Sequence, residues 1–407
     1  MGRCRCLRGP RSPTGRAHPH ARSTIATQFM KDEYSDGKSD LFAAFFYRTL
    51  GLVEHGGQLG FMSPFVWMFI SSYQKVRERF TQDETITSLI QLEYSGFDGA
   101  TVPICAFTLQ RGHIEFKAAY VRLSNFVGAA QQAPRALEII QAGVAEEHGQ
   151  RGLMPDMAEH FYRASAADFA AIPGTPVVYW LSEKMRSAFV KSENGGSLGD
   201  ACGIAQGITT GDNGRFLRLW WEVSRNKSEF ERHHDSKTPT RTWQAADKGG
   251  DFRRWFGNSD WVIFWPEDGR EIVNFSGSTP RNIHTRFKPS IACTKISSGG
   301  ISFRAHERGF VFTDASVAAT RDGDLDSVLG FANSSTATHL MAALAPTLNF
   351  EVGQIRSLPW LVDHTSEAVL SRIVMQLKSN AADDWNSAEA SWGFEQNRLV
   401  VLAVDGG

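Results

Sequence analysis

Apolar residues at helical spacing predict two helices in the segment 39–80. The first helix begins after Ser39, a candidate N-cap, and ends at the glycine pair Gly56-Gly57. The second begins at Pro64, because proline fits the first turn of a helix. The apolar face of the first helix consists of Leu41, Phe42, Phe45, Phe46 and Leu50. That of the second consists of Val66, Phe69, Ile70, Tyr73, Val76 and Phe80.

Segments rich in Ile, Leu, Val and Thr predict strands around these helices. Gln58 to Ser63 predicts a buried strand, and Thr85 to Glu93 and Val102 to Gln110 predict two more. Residues 38–123 therefore predict the order helix, strand, helix, strand, strand, strand. This order is typical of the end of an α/β sheet that finishes in antiparallel strands.

The pattern changes twice in the remainder of the chain. Residues 126–192 are mainly helical in pattern, and residues 193–214 then carry seven glycines. From there to about Pro359, short strand candidates alternate with turns, interrupted by an apolar helical pattern over Val328 to Leu344. Residues 366–407 predict a further helix. A second domain of mixed α and β structure therefore follows the helical segment.

The composition excludes several classes of protein. With 42% hydrophobic and 21% charged residues among 407, the chain is typical of globular proteins rather than of disordered or collagen-like ones. No apolar run of about 18 residues predicts a helix that spans a membrane. Lys and Arg total 43 against 44 Asp and Glu, which excludes an overall basic field for nucleic acid and leaves a local basic face open. Five scattered cysteines argue against a disulfide framework and favour a reducing compartment.

The residues themselves show no catalytic motif. A Walker loop, a G-x-S-x-G elbow, an H-E-x-x-H pair and any G-x-G triplet are all missing from the sequence. His233-His234-Asp235 suits a metal or a general base, but it lies among charged residues and is better explained as a solvated turn. The glycine-rich segment 193–214 suits either a phosphate cradle or a plain inter-domain loop. We favour the loop, because the pattern predicts no strand before it and no helix after it.

Seven blocks of sequence occur in one order along the chain and carry a family resemblance. They are Lys38 to Phe46, Gly56 to Pro64, Trp67 to Arg77, Gln206 to Arg218, Lys248 to Gly257, Lys295 to Arg304 and Pro346 to Ile355. Together they resemble the adenine-specific DNA methyltransferases, and most closely the PglX-type enzymes of BREX phage-defence systems. The resemblance covers roughly residues 28–400. Each block alone is weakly specific, whereas their shared order is fairly specific.

The resemblance implies an α/β fold, in which the C-terminal part of a Rossmann-like methyltransferase sheet is followed by a mixed α+β target-recognition domain. The expected divisions are residues 1–27 as a disordered basic tail unrelated to the family, 28–125 as the C-terminal part of the catalytic domain, 126–192 as a helical connector, 193–365 as the target-recognition (DNA specificity) domain, and 366–407 as a truncated C-terminal helical segment.

The same resemblance implies a site-specific DNA methyltransferase that transfers a methyl group from S-adenosylmethionine to N6 of adenine, in phage defence or restriction-modification. It implies S-adenosylmethionine as the cofactor, double-stranded DNA as the partner, further phage-defence subunits as candidate partners, no membrane, and a cytoplasmic location. The family's Gly-rich cofactor loop and Asn-Pro-Pro-Tyr motif are nevertheless missing, and no Asn-Pro or Pro-Pro dipeptide occurs in the sequence. We therefore expect no catalytic residue here, and a fragment that is inactive on its own.

The first 31 residues differ from the rest, because they carry seven basic residues and no acidic one. Three interpretations compete: a disordered basic arm, a targeting peptide, and translated DNA that is not native coding sequence. We favour the third, because the resemblance begins near Thr27, where the basic segment ends. Cys4 and Cys6 have no second ligand pair at zinc spacing, so we expect no metal site.

Two aromatic residues match positions of the family. Phe45 matches the position that packs against the adenine ring of the cofactor, and Phe97 matches the position that contacts the flipped base. For each of them the alternative is an ordinary core aromatic. A core position is less expected for Phe97, which lies in a turn-like segment, than for Phe45, which lies on the apolar face of a helix.

Polar and basic side chains after Gln206 suit contacts with DNA, because Arg binds guanine edges or phosphates and Asn reads adenine. The candidates are Asp212, Asn213, Arg215, Arg218, Arg225, Lys227, Arg253 and Arg254. For each basic residue the alternative is a solvated charged face. The tryptophans of this region are expected mainly in the core. They are Trp220, Trp221, Trp243, Trp255, Trp261 and Trp265.

Two further hypotheses stay open beside the methyltransferase fragment. The first is a non-catalytic, sequence-specific DNA-binding or partner-binding module, which keeps recognition residues without catalytic ones. The second is a pseudogene product that folds poorly, because the loss of preceding strands leaves Gln58 to Ser63 as an unpaired edge prone to aggregation.

Overall fold

The computed structural model describes residues 24–94, 96, 102–150, 154–230, 241–307, 309–346 and 348–396. Within them the chain forms three β-sheets with helices around them, so that the mixed α/β class expected from the sequence is confirmed. The helices are α1 (Thr24–Glu33), α2 (Leu41–Leu50), α3 (Gln74–Gln82), α4 (Ala129–Glu147), α5 (Pro155–Ala158), α6 (Ala166–Ala170), α7 (Glu183–Gly195), α8 (Leu198–Ala201), α9 (Asn213–Phe216), α10 (Arg270–Val273), α11 (Asp326–Ala332), α12 (Ser335–Leu344), α13 (Val352–Arg356) and α14 (His364–Asn386). The strands are β1 (Gln58–Pro64), β2 (Thr85–Gln91), β3 (Ile104–Gln110), β4 (Ala118–Arg122), β5 (Phe161–Ala164), β6 (Gly203–Gln206), β7 (Leu217–Leu219), β8 (Ser228–Glu229), β9 (Trp243–Asp247), β10 (Trp261–Phe264), β11 (Ser290–Thr294), β12 (Phe303–His306), β13 (Phe310–Phe312) and β14 (Ser316–Thr320).

The first sheet has the strand order β1-β3-β2-β4-β5. β3 runs antiparallel to both β1 and β2, while β4 runs parallel to β2. Its elements follow the order helix, strand, helix, strand, strand, strand, so this prediction for residues 38–123 is confirmed. The prediction that Gln58 to Ser63 is buried is wrong. Alternate side chains of this edge strand face water, and Met62 is 61% exposed, while Ser63 is buried.

Helix α2 differs from its prediction at both ends. Asp40 rather than Ser39 is the N-cap, since its carboxylate accepts a hydrogen bond from the Leu41 N–H at 2.6 Å. The helix ends at Leu50, and Gly56 lies in the turn that follows, with a φ of +84°. The glycine pair therefore shapes the connection to β1 instead of ending the helix.

A buried arginine explains why the next helix starts late. α3 begins at Gln74, and two 3₁₀ turns replace the helix expected from Pro64. The Arg77 guanidinium, only 2% exposed, donates to the carbonyl oxygens of Trp67 (2.9 Å) and Ile70 (2.8 Å). These carbonyls bind a side chain, and the Ile70 carbonyl also accepts the Tyr73 N–H at 3.0 Å within the second 3₁₀ turn, so that no α-helical ladder runs on from Pro64. Burial lowers the pKa of Arg77 to about 10, so the side chain stays charged at neutral pH.

The segment 126–192 contains α4 to α7 together with the short strand β5. β5 pairs antiparallel with β4 and forms the second edge of the first sheet. Ile139 of α4 is fully buried against Val121 and Leu123 at the end of β4. The largely helical pattern of this segment is thus confirmed, with one strand that its sequence did not predict.

Two further sheets interleave along the later part of the chain. One has the order β13-β9-β10-β7, with β8 paired to β9, and the other has the order β12-β11-β14-β6. The pattern over Val328 to Leu344 forms two helices, α11 and α12, rather than one. Asn333 separates them, because its side chain bonds both the N–H (2.9 Å) and the carbonyl (2.8 Å) of Phe303. α14 confirms the helix predicted within residues 366–407.

One hydrophobic cluster connects the first sheet with the β12-β11-β14-β6 sheet, from Ala43 on α2 to Val374 on α14. A second cluster around Trp265 and Phe287 lies against the β13-β9-β10-β7 sheet. The domain boundaries stay predictions.

The later tryptophans are expected mainly in the core, with one or two exposed, and Trp265, Trp255 and Trp261 do belong to or pack against the hydrophobic clusters. Of the six, Trp265 is fully buried, Trp221 is 50% exposed, and the other four are half-buried. Two of the half-buried tryptophans make polar contacts. The Trp220 indole donates to a backbone carbonyl near the end of the described chain at 2.8 Å, and the Lys248 ammonium lies 3.8 Å from the Trp261 ring centroid.

Candidate nucleic-acid interface

The loop between β6 and α9 is held in place by close backbone approaches. A Cβ atom at Gly207 would lie 2.1 Å from a carbonyl oxygen of β13, and one at Gly211 would lie 2.3 Å from the Gly277 carbonyl. Gly211 also has a φ of +75°, a conformation that favours glycine. Between these two glycines, Thr209 pairs with Thr279 through both backbone hydrogen bonds, at 3.1 and 2.9 Å. The last part of the glycine-rich segment is therefore a packed connection.

Asp212 and Asn213 follow this connection, and both are exposed. Asp212 caps α9, because its carboxylate accepts a hydrogen bond from the Arg215 N–H at 3.0 Å. The Asn213 side-chain oxygen accepts from the Thr210 hydroxyl at 2.5 Å. Among the residues that the structure describes, none accepts a hydrogen bond from the Asn213 amide nitrogen. Asn213 thus presents a fixed donor to the surface.

Arg215 and Arg218 are engaged within the protein. The Arg215 guanidinium binds the Glu271 carboxylate at 2.6 Å and lies about equally far, at 5.1 and 5.2 Å, from the ring centroids of Phe216 and Phe275. Arg218 donates to the carbonyl of its neighbour Leu217 at 2.7 Å. Both side chains keep one exposed side, but an anion at Arg215 also meets the negative charge of Glu271.

Arg225 and Arg253 contact the segment after α14 and the end of that helix, respectively. Arg253 lies 3.3 Å from the Asp384 carboxylate and 4.7 Å from the Trp385 ring centroid. Arg225 lies 4.5 Å from the Phe230 ring centroid and donates to a backbone carbonyl beyond α14 at 3.4 Å. These two arginines therefore connect the later sheets to the C-terminal helical segment.

Lys227 and Arg254 complete the predicted set. Lys227 is exposed. Arg254 is half-buried, with its guanidinium 5.2 Å from the Phe252 ring centroid. The structure thus brings residues 212–218 together in one short segment, while Arg225 and Arg253 meet the C-terminal segment instead.

Arg281 is a candidate that the sequence patterns did not identify. It follows Thr279, which pairs with Thr209 of the glycine-rich connection, and its side chain is exposed. Within the described ranges, no acidic side chain lies within ion-pair distance of Arg281, in contrast to Arg215. The pairing spans 70 residues between Thr209 and Thr279, and no local spacing predicts such a long-range contact.

A buried charged network joins the two later sheets. The Arg304 guanidinium binds both oxygens of the Asp247 carboxylate at 2.7 Å, and the His306 Nε2 lies 2.5 Å from the same carboxylate. Ser316 donates a further hydrogen bond to Asp247. Burial opposes the charge of Asp247, but Arg304, His306 and Ser316 outweigh it and hold the pKa of Asp247 well below its usual range. Burial also lowers the pKa of His306, although its hydrogen bond to Asp247 acts in the opposite direction.

The two aromatic family positions lie in different situations. Phe45 is on the outward side of α2 and is 55% exposed, beside Leu41, which is 56% exposed. Its neighbour Phe46 is buried, with its ring centroid 4.9 Å from that of Phe61. The core-aromatic alternative is therefore excluded for Phe45. Phe97 lies outside the described residues.

No three His, Cys, Asp or Glu side chains come together as a metal site in the part of the chain that the structure describes. The pair Cys4 and Cys6 and the triplet His233-His234-Asp235 lie outside that part.

Burial raises the pKa of Cys105 to about 12, so that this thiol stays protonated at neutral pH. No described helix is both long enough and apolar enough to cross a bilayer.

Comparison with known proteins gives these elements a context. A family model described as Eco57I restriction-modification methylase matches residues 19–97, which include α1 to α3, β1 and β2. The adenine-specific methyltransferase PglX of Lacticaseibacillus casei (strain Zhang) is 31% identical over 387 residues, 92% of this chain. The adenine-specific methyltransferase BrxX of Escherichia coli O9:H4 (strain HS) is 28% identical over 382 residues, also 92% of this chain.

This chain is a relative of the PglX-type adenine-specific methyltransferases. The resemblance inferred from the seven sequence blocks is therefore confirmed. The chain spans 31% of the length of the PglX-type relative from L. casei and 29% of the length of BrxX.

The chain also has a structural neighbour among restriction-modification enzymes. The type IIL enzyme MmeI, solved in complex with DNA, aligns with 94% of this chain and 54% of its own, at a TM-score of 0.54 and 8% identity. At this identity the likeness concerns the fold alone. It shows that the described sheets and helices follow an arrangement found in a restriction-modification enzyme.

Proposed function

We propose that this chain is part of a site-specific DNA methyltransferase that uses S-adenosylmethionine to methylate N6 of adenine, in phage defence or restriction-modification. The observation that carries the proposal is the match of 92% of the chain to two relatives that are named adenine-specific methyltransferases. The match includes the first sheet and both later sheets, so it covers more than a shared catalytic core.

The chain's own part in this reaction is DNA recognition. Methylation of a base requires the base to leave the stack, and its selection requires contacts to the duplex on both sides. The exposed donors Asn213, Lys227 and Arg281 suit this role, since two are cations and one is an amide. Arg215 and Arg218 lie in the same short segment as Asn213, whereas Arg225 and Arg253 contact the C-terminal helical segment.

The residues present do not form a complete S-adenosylmethionine site. Phe45 is an exposed aromatic ring on an open helix face, which provides one wall for an adenine ring. The sequence contains neither the family's Gly-rich loop nor Asn-Pro-Pro-Tyr, whose acceptors orient the amino group of the base. We therefore assign no catalytic step to this chain, and we propose that it does not transfer methyl groups by itself.

The test is selection of bound duplexes from a random pool by the purified chain, followed by a methyl-transfer assay on the selected sequence. We expect an enriched sequence motif and no transfer of labelled methyl groups. A pool without enrichment contradicts the recognition role, and turnover by the chain alone contradicts the proposed lack of catalysis.

A further inference from the structure

Arg122 lies at the edge of the first sheet where two parallel strands end. It is the last residue of β4, and it pairs in register with Gln91, the last residue of the parallel neighbour β2. In open α/β sheets, ligands bind in the crevice outside the carboxyl ends of the strands. A cation at this position therefore lies where a ligand of the first sheet is expected.

An aromatic ring holds the Arg122 side chain in place. The residue is half-buried, and its guanidinium carbon lies 4.2 Å from the Trp180 ring centroid. Trp180 is itself fixed, because the rings of Tyr179 and Phe69 pack edge-on against it at centroid distances of 5.0 and 5.8 Å. A guanidinium that stacks on a ring keeps its N–H donors in its own plane, where they can bind a further partner.

The charge of Arg122 is not neutralised within the part of the chain that the structure describes. No carboxylate of that part forms an ion pair with the guanidinium, and the Arg122 Nε is buried without a hydrogen-bond partner there. Burial raises the pKa of the nearby Tyr162 phenol, an effect that Arg122 opposes, so the phenol stays neutral at pH 7 and supplies no negative charge. Desolvation of a cation costs free energy, which a bound anion offsets.

Arg163 on the neighbouring strand β5 provides a contrast. Its guanidinium also lies near an aromatic ring, 5.2 Å from the Phe161 centroid, but it forms two hydrogen bonds with the Glu147 carboxylate, at 2.7 and 2.9 Å. Arg163 pairs in register with Ala119, three positions before Arg122, so the two arginines lie on opposite faces of the sheet. Of these two cations, Arg122 is the one whose surroundings suit an anion from outside the described residues.

We propose that Arg122 binds a phosphodiester of the DNA backbone, and that Trp180 is the positioning residue that fixes the guanidinium for this contact. The planar guanidinium presents parallel N–H donors that match two phosphate oxygens. This inference rests on the proposed function, because the duplex brings a closely spaced row of phosphates to the chain. It adds a contact on the first sheet to those proposed on the later sheets.

The experiment replaces each phosphodiester of the selected duplex in turn with an uncharged methylphosphonate and measures the affinity of the full chain. At the phosphate that Arg122 contacts, we expect the wild-type affinity to fall about tenfold, the order expected for a lost hydrogen bond between charged groups. Arg122→Gln should bind the unmodified duplex about tenfold more weakly and show no further fall at that position. At all other positions it should respond as the wild type does.

Three further variants separate the contact from folding. Arg163→Gln removes the arginine that is already paired with Glu147, and it should keep the complete wild-type profile. Trp180→Leu keeps Arg122 but removes its aromatic support, so the fall at the Arg122 position should shrink, and Trp180→Phe should restore it. The melting temperature of each variant is measured as well. A purely structural role would lower the melting temperature and leave the methylphosphonate profile unchanged.

The outcomes distinguish this inference from the function on which it rests. If the wild-type chain binds no duplex, the proposed function and the inference both fail. If Arg122→Gln keeps the wild-type profile, the inference fails while DNA recognition by the chain stands.

Inorganic phosphate is a second source of the same chemical group, and calorimetry tests it. Phosphate that binds the wild-type chain but not Arg122→Gln, together with a profile in which no position depends on Arg122, would mean that the site takes a phosphate ion from solution. That result would overturn the contact with DNA.

Discussion

The outer edge of the first sheet exposes apolar side chains, whereas the junction of the two later sheets buries charged ones. Around α2 and β1, apolar side chains face water, and Leu41, Phe45 and Met62 are each more than half exposed. At the junction, the charged residues Asp247 and Arg304 are completely buried. An exposed apolar surface costs free energy unless something covers it, whereas a buried charge is tolerated only when its partners are complete. The first region therefore suits binding, and the second specifies how the sheets pack.

The largest expected effect comes from the junction. Asp247→Ala leaves the Arg304 guanidinium buried without its carboxylate, and we expect a loss of about 3–5 kcal/mol in the free energy of unfolding. Asp384→Ala is the matched control, since it breaks the pair with Arg253 on a side chain that is 74% exposed and should cost at most about 1 kcal/mol. Chemical denaturation measures both. Equal losses in the two variants would mean that the buried pair contributes no more to stability than the exposed one.

The second comparison uses adjacent phenylalanines of α2. Phe46 is 1% exposed and packs among aromatic rings, so Phe46→Ala should destabilise the fold by about 3–5 kcal/mol. Phe45 is 55% exposed, and Phe45→Ala should change stability by less than about 0.5 kcal/mol. Thermal and denaturant unfolding of both variants give the values. A large loss in Phe45→Ala would mean that this surface is structural rather than available for binding.

A third prediction concerns which cations bind DNA. Arg281→Ala removes an exposed cation that has no acidic partner among the described residues. If it contacts a phosphate, the slope of log affinity against log salt concentration should become shallower by about 1. Arg270→Ala is the control, because Arg270 is similarly exposed but lies 3.3 Å from Glu267. Titration of a fluorescent duplex at several salt concentrations tests the pair, and identical slopes for both variants would argue against a contact at Arg281.

The smallest expected effect is a dependence of stability on pH. Burial lowers the pKa of His306 below its usual 6.5, so the unfolded chain takes up its proton at a higher pH than the folded chain. The contribution of neutral His306 to the free energy of unfolding is fully present above about pH 6.5, and it declines as the pH falls below that value. Asp247 lowers the stability of the fold only at still lower pH, because its pKa in the folded chain lies below the ordinary value near 3.8. Unfolding between pH 7.5 and 5 measures the effect.

The variant His306→Gln has no titratable ring, and it should show a flatter pH profile between about pH 7.5 and 5. His339→Gln is the control, since His339 is exposed on α12. If His339→Gln flattens the profile as much as His306→Gln does, the buried network is not the source of the pH dependence.

The same contrast explains what the sequence could predict. The order of helices and strands over residues 38–123 followed from local periodicity, because each apolar stripe is encoded within a few turns of chain. The late start of α3 did not, since Arg77 binds carbonyls through its own tertiary position. The ion pair between Arg304 and Asp247 joins residues 57 apart in sequence, and no spacing rule identifies such a pair.

The sequence located some residues of the candidate nucleic-acid interface but did not show their contacts in the fold. Resemblance and residue chemistry located Asp212, Asn213 and Arg215 in one exposed segment. They did not show that Arg215 is paired with Glu271, because α10 is brought to α9 by the fold. Arg281 belongs to a segment without a recognisable motif. The long-range backbone pairing of Thr209 with Thr279 brings this segment to the glycine-rich connection.

The most direct test of DNA recognition by this chain is its affinity for the selected duplex and for a scrambled duplex of equal length, measured across salt concentrations without cofactor. We expect the chain to bind both duplexes, more weakly as the salt concentration rises, and to prefer the selected duplex at every concentration. Equal affinity for the two duplexes, or no binding at low salt, would contradict the claim that this chain recognises DNA.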